Sequence, residues 1–177
     1  KGKSEILEGT AQQIVKLLKR ETVIYDVKDG KLEHPLRRVP QGEEDITIED
    51  EACEEQAAAW ALENNRHAGT GTDHFKQAKR QYLAIRVNST VYGVVGIMIQ
   101  KQPLDAFENS VLLSILGECA LALENDKNVR EKEEAAILAK NEQLRANLLR
   151  TISHDLRTPL TSISGNANNL LYNESCL

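Results

Sequence analysis

Aromatic residues are nearly missing from this chain: they make up 4% of its 177 residues. Any core must therefore be mainly aliphatic. Cysteine is scarce as well. Cys53, Cys119 and Cys176 are far apart and odd in number, which excludes a disulfide framework and leaves no CxxC spacing for a metal. Such usage suits a reducing cytosol. The four histidines, His34, His67, His74 and His154, show no metal-ligand spacing either, so no bound metal is expected. Positive charge is in deficit: the net charge is −5, which argues against a nucleic-acid-binding surface, and the pair Arg37-Arg38 is too small to reverse that. Long apolar runs are lacking too. The longest, residues 91–99, holds Tyr92 and two glycines and falls far short of the ~20 residues of a membrane helix. No signal peptide is expected at the start. What remains, 41% hydrophobic and 28% charged, is the composition of a soluble globular protein. The length allows one ordinary domain with an appendage, or two small domains.

Residues 5–20 place Ile6, Leu7, Ala11, Ile14, Val15, Leu17 and Leu18 at helical spacing, with Ser4 as the expected N-cap. Residues 22–27, TVIYDV, form a β-branched strand bounded by Asp29-Gly30, a strong hairpin turn. Residues 31–35 then return as its partner, and the polar stretch 36–47, with Pro40 and Gly42, reads as a loop. A second helix starts at Thr47 or Asp50 and runs to about Asn65. Residues 66–79, holding Gly69 and Gly71, read as a second loop. Residues 81–87 and 91–100 make another strand pair around Asn88-Ser89. The second of these is apolar on both faces and belongs at the centre of its sheet.

From Asp105 onward helix formers dominate, and only Gly117 interrupts them before Pro159. Residues 111–123 are densely apolar and should pack on the domain before them. Residues 125–134 are nearly all charged, with Val129 alone apolar; they read as a solvated connector or a thin coiled-coil seam. Ile137, Leu144 and Leu148 restore heptad-like spacing, with Asn141 between them as a polar register residue. The expected fold class is α+β: an antiparallel sheet flanked by helices over residues 1–124. A helical linker over 125–143 follows, then the first helix of a bundle over 144–177.

Leu149, Ile152, Leu156, Leu160, Ile163, Ala167 and Leu170 recur at intervals of three and four, the stripe of a helix packed in a bundle. At about 100° per residue, His154 projects roughly 165° from the centre of that stripe and so faces water. The run Leu149-Arg150-Thr151-Ile152-Ser153-His154-Asp155-Leu156-Arg157-Thr158-Pro159-Leu160-Thr161 resembles the H-box of sensor histidine kinases. Pro159 inside an amphipathic helix costs ~3 kcal/mol, and such a cost points to a purpose. The resemblance implies that His154 is the phosphoacceptor, a neutral imidazole attacking a γ-phosphoryl group. Asp155 is placed to accept the proton of the other ring nitrogen, and Arg157 to contact phosphate or a partner's acid. Thr158 lies one turn after His154 on the same face and, in the family, orients water for dephosphorylating the partner regulator. Plainer readings stand beside these: an exposed helix carboxylate, a surface arginine, and a residue that merely precedes proline. ATP and Mg2+ would be bound by the parent kinase, in a nucleotide domain expected beyond Leu177. The segment Gly69-Thr70-Gly71-Thr72-Asp73 lacks the GKS/T ending of a P-loop, so no cofactor is expected within these residues. A helix that cannot bury its stripe alone implies a homodimer through the C-terminal helices.

The upstream part resembles a GAF domain. Residues 57–65 (AAAWALENN), 68–73 (AGTGTD), 82–85 (YLAI) and 92–96 (YGVVG) are similar to the matching region of the KdpD family of potassium-responsive sensor kinases, as is Asp155 in the H-box. That resemblance implies the cytoplasmic portion of a bacterial inner-membrane protein, with membrane helices ahead of residue 1. It implies a cognate response regulator that induces a potassium-transport ATPase. No cysteine or histidine pattern marks a haem, bilin or iron site. Thr70, Thr72 and Asp73 are either a small-ligand or ion contact, or simply a turn and short helix cap. Two rivals from other classes are a ligand-binding regulatory module whose H-box has lost catalytic use and a structural coiled-coil adaptor. The intact His154, Asp155 and Thr158 argue against the first, and the second leaves the H-box unexplained.

Overall fold

The computed structural model describes residues 2–43, 47–99 and 102–175, with side chains as far as residue 168. Gln100, Cys176 and the side chain of Leu170 lie outside the described residues. Two compact units are present, Lys1–Asn128 and Val129–Leu177.

In the first unit, helix α1 (Lys3–Leu18) begins earlier than expected, and Gly2 rather than Ser4 stands at its N-cap, without a side-chain cap. The reason is tertiary: Lys3 Nζ donates to the Val27 carbonyl at 3.0 Å and pairs with Asp26, tying the first turn to the neighbouring strand. Strands β1 (Thr22–Lys28) and β2 (Lys31–Arg38) form the expected hairpin. Asp29 (φ 51°) and Gly30 (φ 73°) both take the left-handed conformation that a tight two-residue turn requires. β2 continues past Pro35 into the stretch expected to be loop. Register is lost between Ile24, opposite Leu36, and Asp26, opposite Glu33. His34 and Pro35 therefore face Tyr25 alone, a bulge on an edge strand, where a missing N–H is tolerated.

Helix α2 (Glu51–Asn64) is capped by Asp50, whose carboxylate accepts from the Cys53 N–H at 3.0 Å. The expected loop after it contains a two-residue strand, β3 (Ala68–Gly69), followed by β4 (Arg80–Val87) and β5 (Thr90–Met98). The five strands are all antiparallel in the order β2-β1-β5-β4-β3, so β5 is central, as its apolar sequence requires. Helix α3 (Ala106–Ser175) opens with a reciprocal cap: Glu108 N–H donates to Asp105 at 2.7 Å and Asp105 N–H to Glu108 at 3.3 Å.

Helix α1 and the start of α3 cover one face of the sheet. Leu7, Ile14, Ile24, Ile85, Val95, Leu112, Ile115, Leu116 and Leu123 are buried there. Part of α3 within residues 106–168 is long and apolar enough by composition to cross a membrane, with mean hydropathy 1.4, a stretch that the run-length reading above passed over. Its Leu112, Ile115, Leu116 and Leu123 pack on the sheet instead. The other face is covered by α2 through Ala57, Ala58 and Ala61, small enough to bring the helix close to Val23, Tyr82 and Val94. Tyr82 lies directly over Gly96 of the neighbouring strand, where a Cβ would come within 2.5 Å of its ring.

A charged cluster is sealed into this unit. Glu21, Glu54 and Arg80 are each no more than 2% exposed. Glu21 accepts from Arg80 Nε at 2.8 Å and from Arg37 at 2.7 Å. Tyr82 donates to Glu54 at 2.9 Å, and the Lys79 N–H donates to the other Glu54 oxygen at 2.6 Å. Burial drives the Glu21 carboxyl up, but the hydrogen bonds and charges of Arg37 and Arg80 outweigh it and hold the group below its ordinary range. Glu21 thus faces two guanidiniums, while Glu54 is held by neutral donors, so each buried acid has hydrogen-bond partners.

Candidate functional site

Helix α3 positions the second unit's chemistry. Leu148, Leu149, Ile152, Leu156, Leu160 and Ile163 are all exposed in the single chain, an apolar stripe of the kind that marks an interaction surface. His154 lies on the opposite side of the helix and its side chain is 78% exposed. Nδ1 lies 3.8 Å from Asp155 Oδ1, beyond hydrogen-bond reach, and both side chains are exposed. Both groups are too exposed for this pair to add appreciable stability.

Thr158 follows on the same face. Its hydroxyl donates to the His154 carbonyl at 3.4 Å, the back-bond that threonine makes to the residue four before it. Thr151 does the same to Asn147 at 2.9 Å. Pro159 sits inside the helix without ending it. It has no N–H for the Asp155 carbonyl, which therefore lies free of the helical ladder at the residue beside His154. Arg157 is exposed one turn after His154. The structure thus brings His154, Asp155, Arg157 and Thr158 onto one accessible stretch of helix.

It does not bring Thr70, Thr72 and Asp73 together. Thr70 donates to the Ala78 carbonyl. The Thr72 hydroxyl lies 2.8 Å from the carbonyls of both Gly69 and His74 and accepts from the His74 N–H at 3.3 Å. These hydroxyls are committed to the loop's own backbone. Thr70 borders one open depression with Gln81 and Asn109, whereas Thr72 and Asp73 border another with Arg66 and His67. Gly69 holds the loop's base: at φ 97°, with the Arg80 carbonyl against it, no side chain fits there. Among the described residues no group of three His, Cys, Asp or Glu is arranged to hold a metal ion.

Sequence reading missed the buried Glu21–Arg80–Tyr82–Glu54 cluster. The one available signal was an acid and an arginine at the heads of strands β1 and β4.

Comparison with known proteins matches these features. Residues 144–175 match the family model of the His Kinase A (phospho-acceptor) domain. The chain is 33% identical over 175 residues to the sensor protein KdpD of Clostridium acetobutylicum, covering 97% of this chain and 19% of that protein. It is also 33% identical over 150 residues to the sensor protein KdpD of Escherichia coli, covering 84% and 16%. It thus spans about a fifth of the length of the curated relatives it matches. In fold it is similar to the GAF domain of the E. coli potassium sensor histidine kinase KdpD, with TM-score 0.56 and 21% identity over 74% of this chain and 87% of that one. A GAF domain of Synechocystis has the same fold, with TM-score 0.50 and 14% identity over 73% and 98%. A phosphoacceptor helix after a GAF fold, with similarity along nearly the whole chain, makes this chain a member of the KdpD family of sensor histidine kinases.

Proposed function

We propose that His154 accepts the γ-phosphoryl group of ATP and passes it to an aspartate of a response regulator. The observation that carries this reading is the placement of His154: exposed, opposite the apolar stripe, inside the residues matched to the phosphoacceptor family. ATP and its Mg2+ would be held by a nucleotide domain of the parent kinase. The Nε2 lone pair forms the N–P bond while the bond from the γ-phosphorus to the bridging oxygen breaks, and ADP leaves with that electron pair. The ring would become cationic, and Asp155, beside Nδ1, accepts the proton that restores neutrality. Arg157 contacts the phosphoryl oxygens. In the reverse task, regulator dephosphorylation, Thr158 leaves the His154 carbonyl and orients water.

In this reading residues 1–124 act as a sensor domain, 125–143 as a connector, and 144–177 as the start of a dimerisation bundle whose second copy covers the exposed stripe. The parent is an inner-membrane protein whose cytoplasmic portion includes these residues, and its regulator controls a potassium-transport ATPase; the similarity to KdpD proteins supports both. The chain supplied with the parent's nucleotide domain and labelled ATP should acquire acid-labile phosphate, and His154→Gln should acquire none. Equal labelling of the two proteins would reject the reading.

A further inference from the structure

The neighbourhood of His154 is basic in an otherwise acidic chain. Over residues 144–168 the charged side chains are Arg145, Arg150, Arg157 and a single acid, Asp155, against a net charge of −5 for the whole. Two of these arginines have a definite relation to the nucleophile. Arg150 precedes His154 by four residues and Arg157 follows it by three. On a helix of about 100° and 1.5 Å per residue they stand on the same flank, about 40° and 60° round, roughly 6 Å below and 4.5 Å above. Thr151 and Thr158 occupy the other flank at mirror angles, and Asp155 lies about 100° round on that side. Both arginines are exposed, and among the described residues neither guanidinium has a hydrogen-bond or ion-pair partner. The acid that could neutralise them is turned away.

We propose that Arg150, which the family motif does not account for, is a phosphoryl-contacting residue, closing with Arg157 on the phosphoryl group at His154 Nε2. This deepens the reading that His154 is the phosphoacceptor and rests on it. Guanidinium forks match phosphate oxygens bidentately and carry a charge that does not titrate away. Two of them straddling the ring hold a dianionic phosphoryl group and oppose its protonation, the form in which a phosphoramidate is lost to water. The flank then serves as a reservoir for the activated group until an acceptor with its own cation arrives.

The test uses the 177-residue chain phosphorylated directly with phosphoramidate, so that no nucleotide domain is needed. Wild type, Arg150→Gln, Arg150→Lys, Arg145→Gln and His154→Gln are compared by 31P NMR titration and by the half-life of the phosphohistidine. Arg145, nine residues before His154, points to the opposite side of the helix and is the control. Glutamine and lysine keep helix propensity close to that of arginine, and circular dichroism checks that the helix persists. Arg150→Gln should raise the phosphoryl titration midpoint by about 0.6 unit, the size of one unit charge at ~5 Å in a watery medium, and shorten the half-life several-fold. Arg150→Lys should recover the midpoint but not the whole half-life, and Arg145→Gln should match wild type. An Arg150→Gln protein with the wild-type midpoint and half-life, its signal at His154, would overturn the phosphoryl contact alone. A His154→Gln protein that gives the same signal would overturn the phosphoacceptor reading beneath it.

Discussion

Arg80→Met is the perturbation that asks most of the fold. It removes the guanidinium from a site 2% exposed and leaves the equally buried Glu21 facing Arg37 through one oxygen only. Breaking a buried ion pair from one side costs ~3–5 kcal/mol. Arg37 still accompanies the carboxylate and is itself one-third exposed, so the loss should fall at the lower end, about 3 kcal/mol. For a unit of this size, at ~3 °C per kcal/mol, that is roughly 10 °C in melting temperature. Urea unfolding followed at Trp60, the sole tryptophan and one stacked on His74 at 4.0 Å, reports the first unit without interference from the second. Adding Glu21→Leu should restore part of the loss, because the acid no longer lies buried without its main partner. The cluster also sets a pH dependence. Glu21 titrates lower folded than unfolded, so its contribution is fully present above the unfolded value of about 4.3 and is lost as pH falls through the lower folded value. In Arg80→Met that acid-side loss should begin at higher pH. A single mutant within ~1 kcal/mol of wild type, or a double mutant no better than the sum of its parts, would refute the view that these charges are mutually dependent.

Three further outcomes follow from other parts of the molecule. In the intact kinase, Asp155→Asn should slow autophosphorylation by ~10²–10⁴-fold, whereas Thr158→Ala should spare it and remove regulator dephosphorylation; rate assays of both steps decide. Gly96→Ala should destabilise the first unit by ~1–3 kcal/mol, since its methyl group meets the Tyr82 ring at 2.5 Å and Val23 at 2.9 Å; thermal melts at Trp60 measure it. Four residues inserted within 125–134 turn the following helix by about 40°, whereas seven keep the heptad phase. Kinase output should change more with four, and equal output would show that helix phase there does not carry the signal.

The legible parts of this chain were those whose physics is local. Asp29-Gly30 announces its turn because both residues accept positive φ, and the β5 run announces a central strand because no polar residue interrupts 93–98. The match of 144–175 to the phospho-acceptor family was legible because His154, Asp155 and Pro159 lie within six residues on one helix. Features decided by distant partners were hidden. Ser4 lost the helix cap because Lys3 anchors to Val27 in another element. Strand β2 ran on past Pro35 because a bulge opposite Tyr25 absorbs the missing donor. β3 is two residues long and exists only by pairing with Tyr82 and Gln81. Glu21, Glu54 and Arg80 were the least legible, since charged residues are read as exposed, and only the fold brings together groups 26 to 59 positions apart along the chain. Thr70 and Thr72 stayed open between a ligand contact and a turn because hydroxyls in a glycine-rich loop do not reveal from sequence which backbone carbonyl they serve.

The most direct test of the account is to locate the phosphate. The chain should be labelled by its parent's nucleotide domain and ATP, digested under alkaline conditions, and mapped by mass spectrometry with 31P NMR of the labelled peptide. The account predicts one phosphoramidate, on Nε2 of His154, in the peptide that contains Asp155 and Arg157. Phosphate on Nδ1 would contradict the orientation assigned to Asp155, and phosphate on any other residue would contradict the function itself.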